Sequence, residues 1–359
     1  MENIVNKFDI QDKIIKIKPF GNGHINGTYV IICKNNSYLL QEINKNVFNN
    51  INMLMNNIFL VTNHLKEKIA KRNGNCLRET LTIIKTTDNE LFYYDKINDK
   101  YYRMYIYIDN TIAYENNASL NIYKEVSSAF SQFYSDLNDF DASKLYIVIK
   151  DFHNTQKRYE NLLNSIKNDK FNRVKDCIDE INYLKSKENY YNRINLLLEN
   201  KKVLLRVTHN DTKLNNVLFD KKTNKPLCVI DLDTIMPGSI LFDFGDAIRF
   251  ICNTSKEDEI DLNKVGFSLD NFKAYSEGFL LNLKSILTKD EIDNLAFSAN
   301  LITLEQAIRF LDDYLNGDSY YKTEYKSHNL IRAKNQIKLA SEIEKNIVTM
   351  NDVIKELIK

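Results

Sequence analysis

The chain has 359 residues, with 49 Lys and Arg against 48 Asp and Glu and a formal net charge of +1. Its length favours about two domains with enough apolar chain for a large core, and so even a charge balance offers no global field for nucleic acid or an acidic membrane. Five scattered cysteines without a Cys-x-x-Cys pair indicate neither a zinc site nor a redox couple.

The N-terminus lacks a basic start followed by an apolar core, and no apolar run reaches about 18 residues. The expectation is a cytoplasmic protein with no membrane attachment and no evident obligate protein partner. Three prolines and nine glycines favour long, uninterrupted elements. Residues 14–17, 28–33 and 38–43 read as strands. The first two flank the turn Pro19-Phe20-Gly21-Asn22-Gly23-His24-Ile25-Asn26-Gly27. Ile51, Leu54, Ile58 and Leu65 recur at helical spacing and predict one helix over 47–68. Strands resume at 81–84, 91–94 and 101–108. That order predicts an antiparallel sheet with one helix laid on it.

Beyond Asn110 the period changes. Ile122, Val126, Phe130, Phe133 and Leu137 recur three and four apart, the mark of an amphipathic helix. Helical patterns continue over 153–166 and 174–198 and return from residue 244, ending in a long helix from 328 to the end. Short strands interrupt them between 206 and 230. The predicted fold class is α+β: a small antiparallel-sheet lobe with one helix over 1–108, and a large, mainly helical lobe over 109–359.

The chemistry concentrates in Arg206-Val207-Thr208-His209-Asn210-Asp211-Thr212-Lys213-Leu214-Asn215-Asn216 and in the apolar run 227–230, which delivers Asp231-Leu232-Asp233. A carboxylate such as Asp211, in a loop between apolar strands, can take the proton of a hydroxyl nucleophile. Asn216 and Asp231 offer two oxygen ligands, and Mg²⁺ takes one or two from protein while phosphate and water complete its shell. One base plus an Asn/Asp pair is the minimum set for phosphoryl transfer from a Mg-nucleotide. The spacing His-x-Asp-x-x-x-x-Asn is also that of the protein-kinase catalytic loop. Asp243-Phe244-Gly245 spells the protein-kinase metal motif, yet it opens a predicted helix 27 residues after Asn216. Metal is therefore assigned to Asp231, and Asp243 is expected as a helix N-cap or a carboxylate bonded to backbone amides. Asp233 is a further candidate ligand, and Asp246 a support.

His209 is read as a structural histidine that holds the loop. Lys213 is either a γ-phosphate contact or a solvated lysine. No G-x-x-x-x-G-K-[ST] is present, which excludes a P-loop. The glycine turn admits two readings, an ordinary hairpin or a flap whose Gly21 and Gly23 let backbone approach the phosphates.

These strings, with Ile230-Asp231-Leu232-Asp233-Thr234-Ile235-Met236-Pro237-Gly238-Ser239, Gly23-His24-Ile25-Asn26, Phe310-Leu311-Asp312-Asp313-Tyr314 and His328-Asn329-Leu330, resemble the N-acetylhexosamine 1-kinases. That family sits within the protein-kinase-like aminoglycoside phosphotransferase and choline kinase superfamily. The resemblance implies phosphorylation of N-acetylglucosamine or N-acetylgalactosamine at the anomeric hydroxyl by ATP with Mg²⁺. Asp211 would be the base, and Asn216 and Asp231 the metal ligands. The sugar would meet His24, Asp211, Phe250, Arg309 and Tyr320, and adenine would lie near Tyr107 and Ile108. Two plainer readings stand beside these: Arg309 as an ion-pair partner of Glu305 or Asp313 at helical spacing, and Phe250 as core. Relatives that phosphorylate aminoglycosides, choline, homoserine or other sugars are the alternatives, and a non-catalytic kinase-like binder is a third class. One departure stands out. Many relatives carry a lysine or arginine on the third strand for the nucleotide phosphates, where this chain has Gln41. A neutral amide supplies no charge, so the cation is expected elsewhere, with Lys213 a candidate.

Overall fold

Six strands form the first sheet of the computed structural model, which describes residues 1–20, 27–115 and 118–359. They are β1 (Ile14–Pro19), β2 (Gly27–Cys33), β3 (Ser37–Ile43), β4 (Ile83–Ile84), β5 (Tyr93–Asp95) and β6 (Lys100–Ile106). Their order is β1-β2-β3-β6-β4, with β5 also on β6, and every pairing is antiparallel. Val5, Phe8, Ile31, Cys33, Tyr38, Leu40, Tyr102 and Met104 form a core on one face. Because side chains alternate along a strand, Gln41 and Arg103, which are register partners, project to the opposite face. Gly21, Gly23 and His24, with the roles expected of them, lie outside the described residues.

The predicted helix is present over Ile51–Lys71 and buries Leu54, Met55, Ile58, Val61, Leu65 and Ile69 three and four apart. Asn50 caps it by accepting from the Met53 amide at 3.1 Å, a contact worth about 1 kcal/mol. The fully buried Asn57 on this helix donates to the carbonyls of Tyr146 (2.8 Å) and Ile235 (2.9 Å) and accepts from the Tyr146 amide. It thus pins the segment just after Asp231-Leu232-Asp233. Strands Thr111–Ile112, Val217–Asp220 and Pro226–Val229 make a second antiparallel sheet.

All of this belongs to one compact unit, composed of Met1–Glu115, Gln132–Lys150 and Leu214–Pro237. The chain leaves that unit shortly after the expected boundary at residue 108 and returns to it twice. The second unit is Asn116–Ser131, Asp151–Lys213 and Gly238–Lys359, and it is mainly helical. Its centre is the helix Lys289–Leu315, on which Thr155–Asn168, Ile240–Ile251 and His328–Ile358 pack. A full capping box starts that central helix: Thr288 Oγ1 accepts from the Glu291 amide, and Glu291 Oε2 accepts from the Thr288 amide. The stretch 174–198, where a helical pattern is read from the sequence, folds as two helices, Ile178–Ser186 and Arg193–Glu199, with 3₁₀ turns beside them. The buried Tyr191 turns back and donates its hydroxyl to the Leu184 carbonyl at 2.6 Å, a tertiary contact that outweighs the helical periodicity. Among the described residues no helix is long and apolar enough to cross a membrane.

Candidate active site

In the second unit the short strand Arg206–Thr208 delivers the loop that carries Asp211. Arg206 is anchored by the cap of the central helix, its Nε and Nη2 donating to Glu291 at 2.8 and 2.9 Å. Beyond the strand, the buried Asp243 accepts from two successive backbone amides, His209 at 2.7 Å and Asn210 at 2.8 Å. Its own carbonyl takes the Thr212 hydroxyl at 2.8 Å. The two bonds to the carboxylate are charge-assisted and therefore strong, and with the Thr212 contact they hold the loop at residues 209, 210 and 212. Asn210 adopts the left-handed region at φ 63°, with its side-chain amide donating to Thr208 Oγ1 at 2.9 Å.

Asp243 therefore takes the second of its two expected roles. The N-cap of its helix is Ser239, which accepts from the Leu241 amide, and Asp243 stands in the first turn, where a negative charge is favoured. His209 is fully buried, with its ring edge-on to Phe130. Its Nδ1 accepts from the Asp211 amide at 3.3 Å, so that nitrogen supports the loop. Asp211 keeps 25% of its side chain exposed and is paired with Lys213 Nζ at 2.8 Å. Burial opposes the charge on Lys213, but the carboxylates of Asp211 and Asp246 outweigh it and hold the ammonium pKa above its usual value.

Around this pair the second unit gathers further charge. Asp246 is bonded to Arg249 Nε at 3.0 Å, and Arg249 also reaches Glu257 at 2.8 Å. Burial raises the Asp246 pKa, yet Arg249, His153 and Lys213 together bring it below the ordinary 3.8. Arg309 donates to Gln306 at 3.0 Å and lies over the Tyr321 ring. Of its alternative partners at helical spacing, Glu305 contributes to the field that raises the Arg309 pKa, and both Glu305 and Asp313 also have hydrogen-bond partners of their own. Glu305 accepts from Thr155 and faces His153 Nδ1 at 2.9 Å, while Asp313 accepts the amides of Ser319, Tyr320 and Tyr321. Phe250 is half-buried beside Arg249. Tyr320 is 73% exposed and meets Tyr321 edge-on. Tyr321, which the sequence did not single out, is the ring that Arg309 faces. His153 was also missed: its Nε2 is buried without a hydrogen-bond partner among the described residues, and its ring stacks on Phe242.

In the first unit the strands Val217–Asp220 and Pro226–Val229 bring Asn216 and Asp231 side by side. Val217 pairs with Val229 in register, and the Ile230 amide donates to the Asn216 carbonyl at 2.9 Å. Asp231 is exposed and left-handed at φ 60°, ψ 59°. That conformation is costly for a residue with a Cβ, and aspartate tolerates it better than most. Two residues on, Asp233 is buried and ion-paired with Arg103. Asn216 is buried and Asp231 exposed, and an amide oxygen with a carboxylate is a donor set that suits a Mg²⁺ ion keeping most of its shell for phosphate and water. Among the described residues no cluster of three His, Cys, Asp or Glu side chains could hold a metal ion.

At the end of β6 the Tyr107 amide donates to the Ser37 carbonyl at 2.9 Å, and its ring meets Phe20 edge-on. Burial raises its phenol pKa. Ile108 is buried, its carbonyl taken by the Thr111 hydroxyl.

Residues 148–275 match the model of the phosphotransferase enzyme family APH. Over nearly its full length the chain is similar in structure to a microcompartment-associated aminopropanol kinase, with a TM-score of 0.63 at 13% identity over 98% of this chain and 97% of the other. It is similar to an aminoglycoside phosphotransferase from Alicyclobacillus acidocaldarius, with a TM-score of 0.57 at 12% identity over 99% and 96%. A choline kinase from Cryptosporidium parvum gives 0.53 at 13% identity over 97% and 95%. The antiparallel sheet of the N-terminal region and the helical C-terminal part thus compose the protein-kinase-like α+β fold found in these small-molecule kinases.

Proposed function

We propose that the chain is a small-molecule kinase that transfers the γ-phosphoryl group of ATP to the anomeric O1 of an N-acetylhexosamine, GlcNAc or GalNAc. The observation that carries the reading is the held catalytic loop: Asp243 fixes the backbone at His209 and Asn210, and Asp211 stands half-open beside Lys213. A base kept at one position against an incoming hydroxyl removes orientational freedom that the reaction would otherwise lose at the barrier.

Asp211 accepts the proton of O1 as that oxygen attacks the γ-phosphorus in line and the bond to the β-phosphate oxygen breaks. Asn216 and Asp231 would hold Mg²⁺, which would supply positive charge to offset that of the nucleotide phosphates. Lys213, beside Asp211, would supply a cation to the γ-phosphate. Gly21 and Gly23 would approach the phosphates, and Tyr107 and Ile108 the adenine. His24, Phe250, Arg309 and Tyr320 would read the acceptor. A mixture of Arg249, Arg309, Asp246 and Glu305 near the loop suits a neutral, hydroxyl-rich acceptor better than a polycation such as an aminoglycoside, which would favour an excess of carboxylates.

The test is ADP release measured across GlcNAc, GalNAc, other hexoses, choline, homoserine and aminoglycosides, followed by phosphorus–proton NMR of the product. Turnover of an N-acetylhexosamine with coupling from phosphorus to the anomeric proton is expected. Turnover of an amine substrate alone, or phosphate on C6, would overturn the assignment of the acceptor.

A further inference from the structure

One strong interaction in the first unit has no part in the chemistry so far. Arg103 is 2% exposed, and its buried charge is paired with Asp233 through Nη1. The two residues lie 130 positions apart. Arg103 Nε donates to Gln41 Oε1 at 3.0 Å across the β3–β6 pairing, and Gln41 in turn faces Thr28 across β2–β3. The guanidinium also lies over the Tyr105 ring. This row explains why strand β3 carries a neutral glutamine. A lysine at position 41 would set a second cation directly opposite Arg103, and like charges facing each other across strands destabilise a sheet.

Such an ion pair is rarely a source of net stability, because desolvating both groups offsets their attraction. It does fix geometry. Asp233 belongs to the one-turn 3₁₀ helix Leu232–Thr234 that begins at the left-handed Asp231, and Asn57 holds the same segment at Ile235. The Asp231 carboxylate is close enough to add to the field at both Arg103 and Tyr105. With its Nη1 taken by Asp233, its Nε by Gln41 and almost no exposed surface, Arg103 is placed to hold a turn, not to reach out to a phosphate.

We propose that Arg103 is a positioning residue: anchored on β3 by Gln41, it grips Asp233, keeps that carboxylate away from the metal and fixes Asp231 in the left-handed conformation that presents it to Mg²⁺. The proposal rests on the kinase reading above, in which Asp231 is a metal ligand. It also assigns the two neighbouring aspartates unequal parts, one as ligand and one as anchor.

The experiment is calorimetric titration of the intact protein with ADP, in Mg²⁺ and in EDTA. The charge-neutral double variant Arg103→Met, Asp233→Leu avoids leaving a lone buried charge, and Arg103→Lys is the conservative variant should the double variant fail to fold. Wild type is expected to bind ADP more tightly with Mg²⁺. In the folded double variant that Mg²⁺-dependent gain should fall by about 10–100-fold, the usual effect of removing a residue that orients a metal ligand. Affinity in EDTA should be unchanged, and Arg103→Lys should lose part of the gain. A full Mg²⁺-dependent gain in either folded variant would overturn the positioning role and leave the kinase reading intact. Failure of wild type to bind ADP at all would overturn that reading, and this proposal with it.

Discussion

At the scale of single residues, two aspartates 32 positions apart divide the work of one loop. Asp211 faces outward with Lys213, and Asp243 is buried and spends both oxygens on backbone amides. Their asparagine variants should therefore fail differently. Asp211→Asn removes the proposed proton acceptor and should lower kcat by about 10²–10⁴-fold with little change in stability or nucleotide affinity. Asp243→Asn keeps one acceptor oxygen but turns an NH₂ toward an amide, and should cost about 1.5–3 kcal/mol of folding stability together with activity. Urea unfolding and steady-state kinetics on both variants separate the cases; equal loss of stability in the two would contradict the division. The sequence singled out Asp211, Asn216 and Asp231 as candidates because the motif spacing is local. Arg103 was overlooked although it left a trace: a lone charge among Tyr101, Tyr102, Met104 and Tyr105 in a strand. Its partner is set by strand register and by a turn 130 residues away, which no local pattern encodes.

At the scale of elements, the helix Ile240–Ile251 shows why a familiar string misleads. Its Gly245 completes Asp243-Phe244-Gly245, yet the glycine is there for packing. A Cβ at that position would lie 2.5 Å from the Ser298 carbonyl oxygen and 3.0 Å from Ile302 Cγ1, both on the helix Lys289–Leu315. A backbone carbonyl inside a helix cannot swing aside, so the two helices would have to separate. Gly245→Ala should destabilise the protein by about 1–3 kcal/mol despite the better helix propensity of alanine, read as a lower urea midpoint at unchanged slope. A neutral or stabilising result would show that the helices can part freely. Long amphipathic helices such as Ile51–Lys71 and His328–Ile358 were readable from periodicity alone. The region 174–199 was not, because Tyr191 closes a tertiary bond to Leu184 that competes with continued helix.

At the scale of the whole molecule, near-neutral net charge conceals a second unit that buries ionised carboxylates, and this sets its response to acid. Burial would raise the pKa of Glu305, but the His153 contact and the Thr155 hydroxyl bring it below its ordinary 4.5. Asp246 is likewise held below 3.8, against its burial, mainly by Arg249. A carboxyl with a lowered folded-state pKa binds fewer protons when folded than when unfolded. Its contribution is therefore complete above the unfolded value and is lost as pH falls through the lowered one. Glu305→Gln keeps the shape, removes the titration and leaves His153 and Thr155 facing a weaker acceptor. At pH 7 the variant should be less stable by about 1.5–3 kcal/mol. Below pH 4.5 wild type should lose stability more steeply than the variant, so that the two converge as Glu305 itself becomes protonated. Urea midpoints measured from pH 7 down to pH 3 decide it. A gap that stays constant through the acid range would mean that Glu305 is already neutral in the folded protein, and that the buried pair with His153 carries no charge.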